Sequence, residues 1–220
     1  LNQNISSDYK HKIINDLVNI SFSRGNLDKT FTMIDSLYNN IINPDLIETI
    51  DLKKIQAYYY NLDKDSLIIN SEKLLKSFSK ENLIYNDLLS MNSLFSFFDT
   101  KDLENYVQAQ FKIIQDKRNE SINMLDSIKI DNNIYSLSKY ESAYLEILEK
   151  NYQKALEKIS DLDSIEHSYK ERSLILKGEI YDYGLNDKSM AVDTYLNFID
   201  LYPKSIFYDI IRLRLRELAL

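Results

Sequence analysis

The chain is poor in the residues that turn a backbone sharply. Its 220 residues include 3 Gly and 2 Pro, where an average composition would supply roughly 15 and 11. Tight hairpins, Greek keys and glycine-rich phosphate loops need that chemistry, so all-β and nucleotide-binding folds are excluded first. Cysteine is absent, which removes disulfide frameworks, thiolate zinc sites, iron–sulfur clusters and a cysteine nucleophile. No apolar run approaches the ~20 residues that span a bilayer, so no integral membrane segment is expected. The opening Leu1-Asn2-Gln3-Asn4 carries no charged segment before an apolar stretch, and a start on Leu fits a processed or truncated product. Positive charge is the scarcer sign: 27 Lys plus Arg against 34 Asp plus Glu leave a net charge of −7. Such a surface repels phosphate backbones, so no nucleic acid partner is expected.

What the chain does have is apolar surface, 44% of its residues, with 17 Tyr and 9 Phe. That is enough to bury a core. Apolar residues recur at three- and four-residue spacing, as in Ile13, Leu17, Ile20 and in Leu137, Tyr140, Tyr144, Leu148, which is the period of an amphipathic helix. Strand-like alternation occurs only around Leu213 and Leu215, where Ile210, Ile211 and Leu218 supply a helical stripe instead. Eleven short polar clusters, from Arg24-Gly25-Asn26 to the stretch 202–205, interrupt the pattern and divide the chain into about twelve helices of ordinary length. Three helix starts have a mechanism: Asn43 before Pro44, Ser168 with Glu171 as a capping box, and Ser205 after Pro203. The reading is a single all-α domain over residues 1–220.

Small residues repeat across the proposed helix pairs. Ala109 with Ser121 and Ala143 with Ala155 stand at one interval, and Gly178 with Ala191 at that interval plus one residue, placed in the turn 183–187. Successive units are 34 residues apart from Ser121 to Ala155 and 36 from Ala155 to Ala191. Leu174, Gly178, Tyr181, Ala191, Tyr195, Phe198 and Pro203 follow the large, small and aromatic positions of a helix-pair repeat, with Phe198 where a small residue is usual. On these residues the chain resembles the tetratricopeptide repeat family, in bacterial form. The resemblance implies an α-solenoid of antiparallel helix pairs, with repeats at 9–42, 102–130, 133–165 and 168–203. Degenerate helices fill 44–100, and a capping helix with a charged outer face, Arg212, Arg214, Arg216 and Glu217, occupies 205–219. The stretch 202–207 with Arg214 to Leu218 is also similar to the ends of bacterial envelope proteins with these repeats, which implies the periplasm or cell envelope, with the cytoplasm left open.

In that family the inner face of each first helix lines a concave groove that holds peptides or partner helices. Transferred residue by residue, this implies Asn15 and Asn19, Tyr106 and Gln110, Tyr140 and Tyr144, and Glu179 and Asp182 as binding residues. Tyrosine supplies rigid area with a polar tip, and amides grip a peptide backbone; Tyr106 and Tyr140 equally suit packing between repeats. Of Tyr58-Tyr59-Tyr60, at ~100° steps, at least one should be exposed or at a groove edge. The implied function is a non-enzymatic scaffold that binds a protein or peptide without a cofactor. The alternatives are a sensor or scaffold part of a larger regulatory or envelope protein, and an enzyme on a helical scaffold.

No constellation for catalysis stands out. His11 and His167 belong to different units, which argues against a shared metal or acid–base role. Asn61, Asp63, Asp65 and Glu72 fall at calcium-loop positions, but Ser66 stands where glycine is needed, so a capped helix start is the better reading. Sequons at Asn4, Asn19 and Asn119 are expected by chance in an Asn- and Ser-rich chain.

Overall fold

The computed structural model describes residues 7–39, 47–77, 84–97, 101–130 and 134–218. The predicted helix start at Asn43-Pro44 and the sequon at Asn4 lie outside them. The fold is all-α, with twelve α-helices among the described residues and neighbouring helices packed in pairs as in a solenoid. The helices divide into two compact units, Leu1–Ser121 and Ile122–Leu220.

In the first unit α1 (Ser7–Ser23) packs on α2 (Leu27–Asn39), α2 on α3 (Ile47–Tyr60), α3 on α4 (Lys64–Ser77), and α4 on α5 (Tyr85–Phe97). Helix α6 (Lys101–Ile114) lies against α3, and α7 (Arg118–Asp126) carries the chain across the boundary. The helix predicted without a partner near 83–98 is α5, seated on α4 through Leu88, which shares a buried cluster with Ile55 and Leu74. In the second unit α8 (Tyr135–Leu148), α9 (Tyr152–Ser160), α10 (Lys170–Glu179), α11 (Lys188–Leu201) and α12 (Tyr208–Leu218) each pack on the next. Their core joins Ala143, Ala155, Ile159 and Ile180 in one cluster, and Ala191, Tyr195, Phe198 and Ile211 in another.

One turn geometry recurs within the pairs. Gly25, Leu62, Asp116, Lys150 and Asn186 all have left-handed backbones, with φ of 72°, 59°, 56°, 62° and 55°. In the first four turns the following N–H closes the helix end: Asn26 to Ser21 O at 3.1 Å, Asp63 to Tyr58 O at 3.0 Å, Lys117 to Lys112 O at 2.9 Å, Asn151 to Glu146 O at 2.8 Å. This is a Schellman closure, which satisfies carbonyls the helix leaves free. Only one of the five is glycine, so each of the others carries ~1 kcal/mol of backbone strain. Asn26, Asp63 and Asp187 then cap the next helix, accepting from the N–H groups of Lys29, Ser66 and Met190 at 2.9, 3.2 and 3.1 Å. Asp63 therefore spends a carboxylate oxygen on α4, as the capped-start reading of 61–72 requires.

The fifth turn differs. Asp187 N–H reaches Tyr181 O at 2.8 Å, one residue further back than in the other pairs, because Ile180–Gly184 form a π-helical turn at the end of α10. The interval from Val18 to Gly25 equals those from Ala109 to Asp116 and Ala143 to Lys150, while Gly178 to Asn186 is one residue longer. The extra residue expected in the turn is thus absorbed inside the helix, where a single π turn accommodates an insertion. Two glycines permit the packing around it. A Cβ on Gly178 would lie 2.3 Å from Tyr195 Cε1, and one on Gly184 would lie 2.6 Å from Tyr152 Cδ1.

Two further expectations changed. The Ser168–Glu171 capping box does not form: α10 begins at Lys170, Tyr169 N–H donates to His167 Nδ1 at 3.1 Å, and Glu171 instead accepts from the Ser205 hydroxyl. Ser205 in turn accepts from Phe207 N–H at 2.9 Å, so one hydroxyl links the start of α10 to the entry of α12. On α12 the outer face is mixed. Arg212, Arg216 and Glu217 are exposed, but so are Ile210 and Leu213, with Ile206 just before the helix, and Arg214 turns inward to a buried carboxylate.

Candidate functional site

Two clefts hold four of the eight binding residues that the repeat pattern selects. The first, of about 530 Å³, lies in the unit ending at Ser121, between α3, α5 and α6. Thr49, Leu52, Lys53, Gln56 and Tyr60 recur at helical spacing and form the α3 wall; Leu88, Met91 and Leu94 form the α5 wall. Tyr106 and Gln110 project from α6. The α3–α6 contact is set by directional groups: Gln108 donates to Tyr60 O at 3.0 Å, and the Tyr60 and Phe111 rings stack with centroids 4.8 Å apart. Tyr60 is buried, and loss of water pushes its phenol up to about 12. Tyr59 is buried too, and Tyr58 packs half-buried against Phe31, 5.4 Å between ring centres. Of the three, Tyr59 and Tyr60 reach the groove edge.

Lys53 is the residue that sequence reading missed here. It is half-buried in the cleft wall, and burial lowers its pKa, with no carboxylate among the described residues offsetting the lost hydration. Its neighbour Lys54 shows the contrast, pairing with Asp35 at 3.6 Å and lying over the Tyr38 ring at 5.1 Å. The available signal was the strip Thr49, Lys53, Gln56, Tyr60 at three- and four-residue spacing, in the segment where the repeat phase is lost.

The second cleft, about 480 Å³, lies in the other unit among α8, α10 and α12. Tyr140 and Glu179 from the predicted set line it, with Arg172, Tyr183, Ile210 and Arg214. A smaller depression of about 220 Å³ adjoins it through Leu176, Glu179 and Tyr183, and brings in Tyr144. Tyr144 is 50% exposed and Tyr183 65%, whereas Tyr140 is half-buried, its ring 5.5 Å from that of Tyr169. Asp182 does not face solvent. It is buried beneath the cleft and accepts from Arg214 through Nε at 2.7 Å and Nη2 at 2.8 Å, a bidentate pair. Arg214 also covers the Tyr183 ring at 4.8 Å. Glu179 stays exposed at the rim; partial desolvation, and then the Asp182 charge, raise its carboxyl pKa. Asp182 is thus a positioning group for the floor rather than a contact residue.

The remaining predicted residues fall elsewhere. Asn15 and Asn19 are on α1, half-buried and exposed, and line neither cleft. Tyr106 is 4% exposed, so it contributes an edge, while Gln110 is half-buried. Ala109, Ser121, Ala143, Ala155, Gly178 and Ala191 are buried; Pro203 is exposed and Tyr181 half-buried.

A polar network in the second unit also escaped the sequence. Ser142 donates to Asp126 at 2.9 Å, Lys158 contacts Asp126, Ser142 at 3.0 Å and Glu146 at 3.4 Å, and Lys139 stands 3.7 Å from Asp126 and 3.6 Å from Asp161. A serine hydroxyl 3.0 Å from a lysine is the spacing of a nucleophile and its base. Here, however, the ammonium donates to Asp126 and to the Ser142 hydroxyl itself and pairs with Glu146, and Ser142 has no exposed surface. The group is an internal cross-link among α7, α8 and α9. No protein-family model matches the chain, and no curated protein matches it in sequence.

Proposed function

We propose that this chain is a non-enzymatic interaction scaffold of the tetratricopeptide kind, which binds a peptide segment or partner helix on the face built by α8, α10 and α12. One observation carries the reading: exposed Tyr183 and Ile210 line a cleft whose floor is held by Arg214 on buried Asp182, and exposed Tyr144 lines the depression that adjoins it. Rigid aromatic and aliphatic area over an ordered floor is what a bound helix or extended segment needs to lose water against. Arg172 and Glu179 at the rim offer one charge of each sign, which suits orientation of the ligand more than raw affinity.

A photo-crosslinking residue at position 144, compared with one at exposed Lys154 on α9, tests this in the native host. A discrete protein adduct from 144 and none from 154 is expected. Equal labelling from both positions, or none from 144, would overturn the assignment.

A further inference from the structure

The cleft between α3, α5 and α6 has a chemistry that the scaffold reading does not use. Its volume of about 530 Å³ falls within the range of small-molecule sites. Most of its lining is aliphatic or aromatic: Leu52, Leu88, Met91 and Leu94 with the rings of Tyr59 and Tyr106. Into this setting α3 places one ammonium, Lys53, with the amide of Gln56 one helical turn away and that of Gln110 across on α6. Among the described residues no ion pair or hydrogen bond satisfies Lys53, although Lys54 beside it has Asp35. A desolvated cation without a partner is unfavourable, and an incoming anion would relieve it while the Gln56 amide donates to its second oxygen.

The charge pattern limits which anion. Asp87, the one carboxylate of the lining among the described residues, stands exposed on α5, and the chain as a whole carries −7. Both penalise a ligand with several negative charges, such as a nucleotide or an oligophosphate. The aliphatic walls need a tail to cover them, and methionine adapts its shape to that tail. We infer that this cleft binds a small amphipathic monocarboxylate, its carboxylate on Lys53 and its apolar body between α3 and α5.

Octanoate, acetate and octylamine titrated calorimetrically into the full chain separate the contributions. Octanoate should bind saturably and at least tenfold tighter than acetate, which lacks the tail, or octylamine, which carries the opposite charge. Lys53→Met, which keeps the length and removes the charge, should weaken octanoate at least tenfold. A second measurement needs no variant. Saturating octanoate should slow acetylation of Lys53 by an activated acetyl ester, read by peptide mass mapping, and leave Lys54 unchanged. Octylamine binding as tightly as octanoate, full retention of octanoate affinity in the Met variant, or an unaltered Lys53 acetylation rate would each overturn the assignment.

Discussion

In the unit ending at Ser121 helices meet largely through aromatic rings, whereas in the unit beginning at Ile122 they are tied by charged side chains. Phe22, Tyr60 and Phe111 form one chain of rings, extended by Tyr59 to Phe95. The second unit has Asp126, Glu146 and Asp161 bridged by Lys139 and Lys158, and Asp182 clasped by Arg214. Ring contacts tolerate a range of angles, and the ring-rich unit contains the sequence segment 44–100, where the small-residue spacing of the repeat is lost. Bidentate and networked ion pairs accept few geometries, and the unit that has them carries two small-residue pairs in succession, Ala143 with Ala155 and Gly178 with Ala191. The ion-pair network and the Asp182–Arg214 pair thus lie where the small-residue repeat holds, and the chain of rings runs beside the segment where it lapses.

The comparison can be broken at its strongest point on each side. Tyr60→Ala removes the ring at the centre of the aromatic chain and should destabilise by about 4 kcal/mol in urea denaturation, while Tyr60→Phe stays within about 0.5 kcal/mol. Lys158→Met replaces the ammonium between Asp126 and buried Glu146 with an uncharged thioether chain, and should lose about 3 kcal/mol. Hydrogen exchange should place each loss in its own unit; a Lys158→Met variant that melts like the parent would remove the ionic half of the contrast. Gly178→Ala sets a methyl into the Tyr195 ring and should cost about 2 kcal/mol by overpacking, seen as a lower melting temperature.

Smaller effects sharpen the picture. Lys150→Gly relieves a left-handed backbone at an exposed turn and should gain about 0.5–1 kcal/mol; no gain would mean that the turn is held by more than its closure. His167 is desolvated, so its folded pKa lies below 6.5. Its stabilising share is therefore full above the unfolded value and is lost as pH falls through the folded one. Protonation of Nδ1 also removes the acceptor for Tyr169 N–H. His167→Asn keeps an acceptor that does not titrate, so melts from pH 7.5 to 5 should show the parent falling below the variant under about pH 6.5.

Periodicity made the helices readable, because burial of one face imposes a three- and four-residue spacing wherever neighbours pack along the chain. Ala143, Ala155 and Ala191 were readable as close-approach positions for the same local reason. The clefts were only half readable. Tyr140, Tyr144 and Glu179 fall on a shared cleft and its adjoining depression because their unit keeps the repeat phase, but Lys53 gained its meaning from α5, whose placement no local spacing encodes. Asp182 was misread as a surface group. A carboxylate at a groove position reads as solvent-facing until a partner thirty-two residues later, Arg214, is folded back against it.

The π turn at Ile180–Gly184 carries a historical consequence. A codon added within α10 is swallowed by one widened helical ring, and the left-handed residue and the capping Asp187 downstream keep their relation to Ala191. A single residue can therefore be inserted or removed here without reshaping the hairpin. Sequence drift of that kind erases a fixed-length register while leaving the architecture intact.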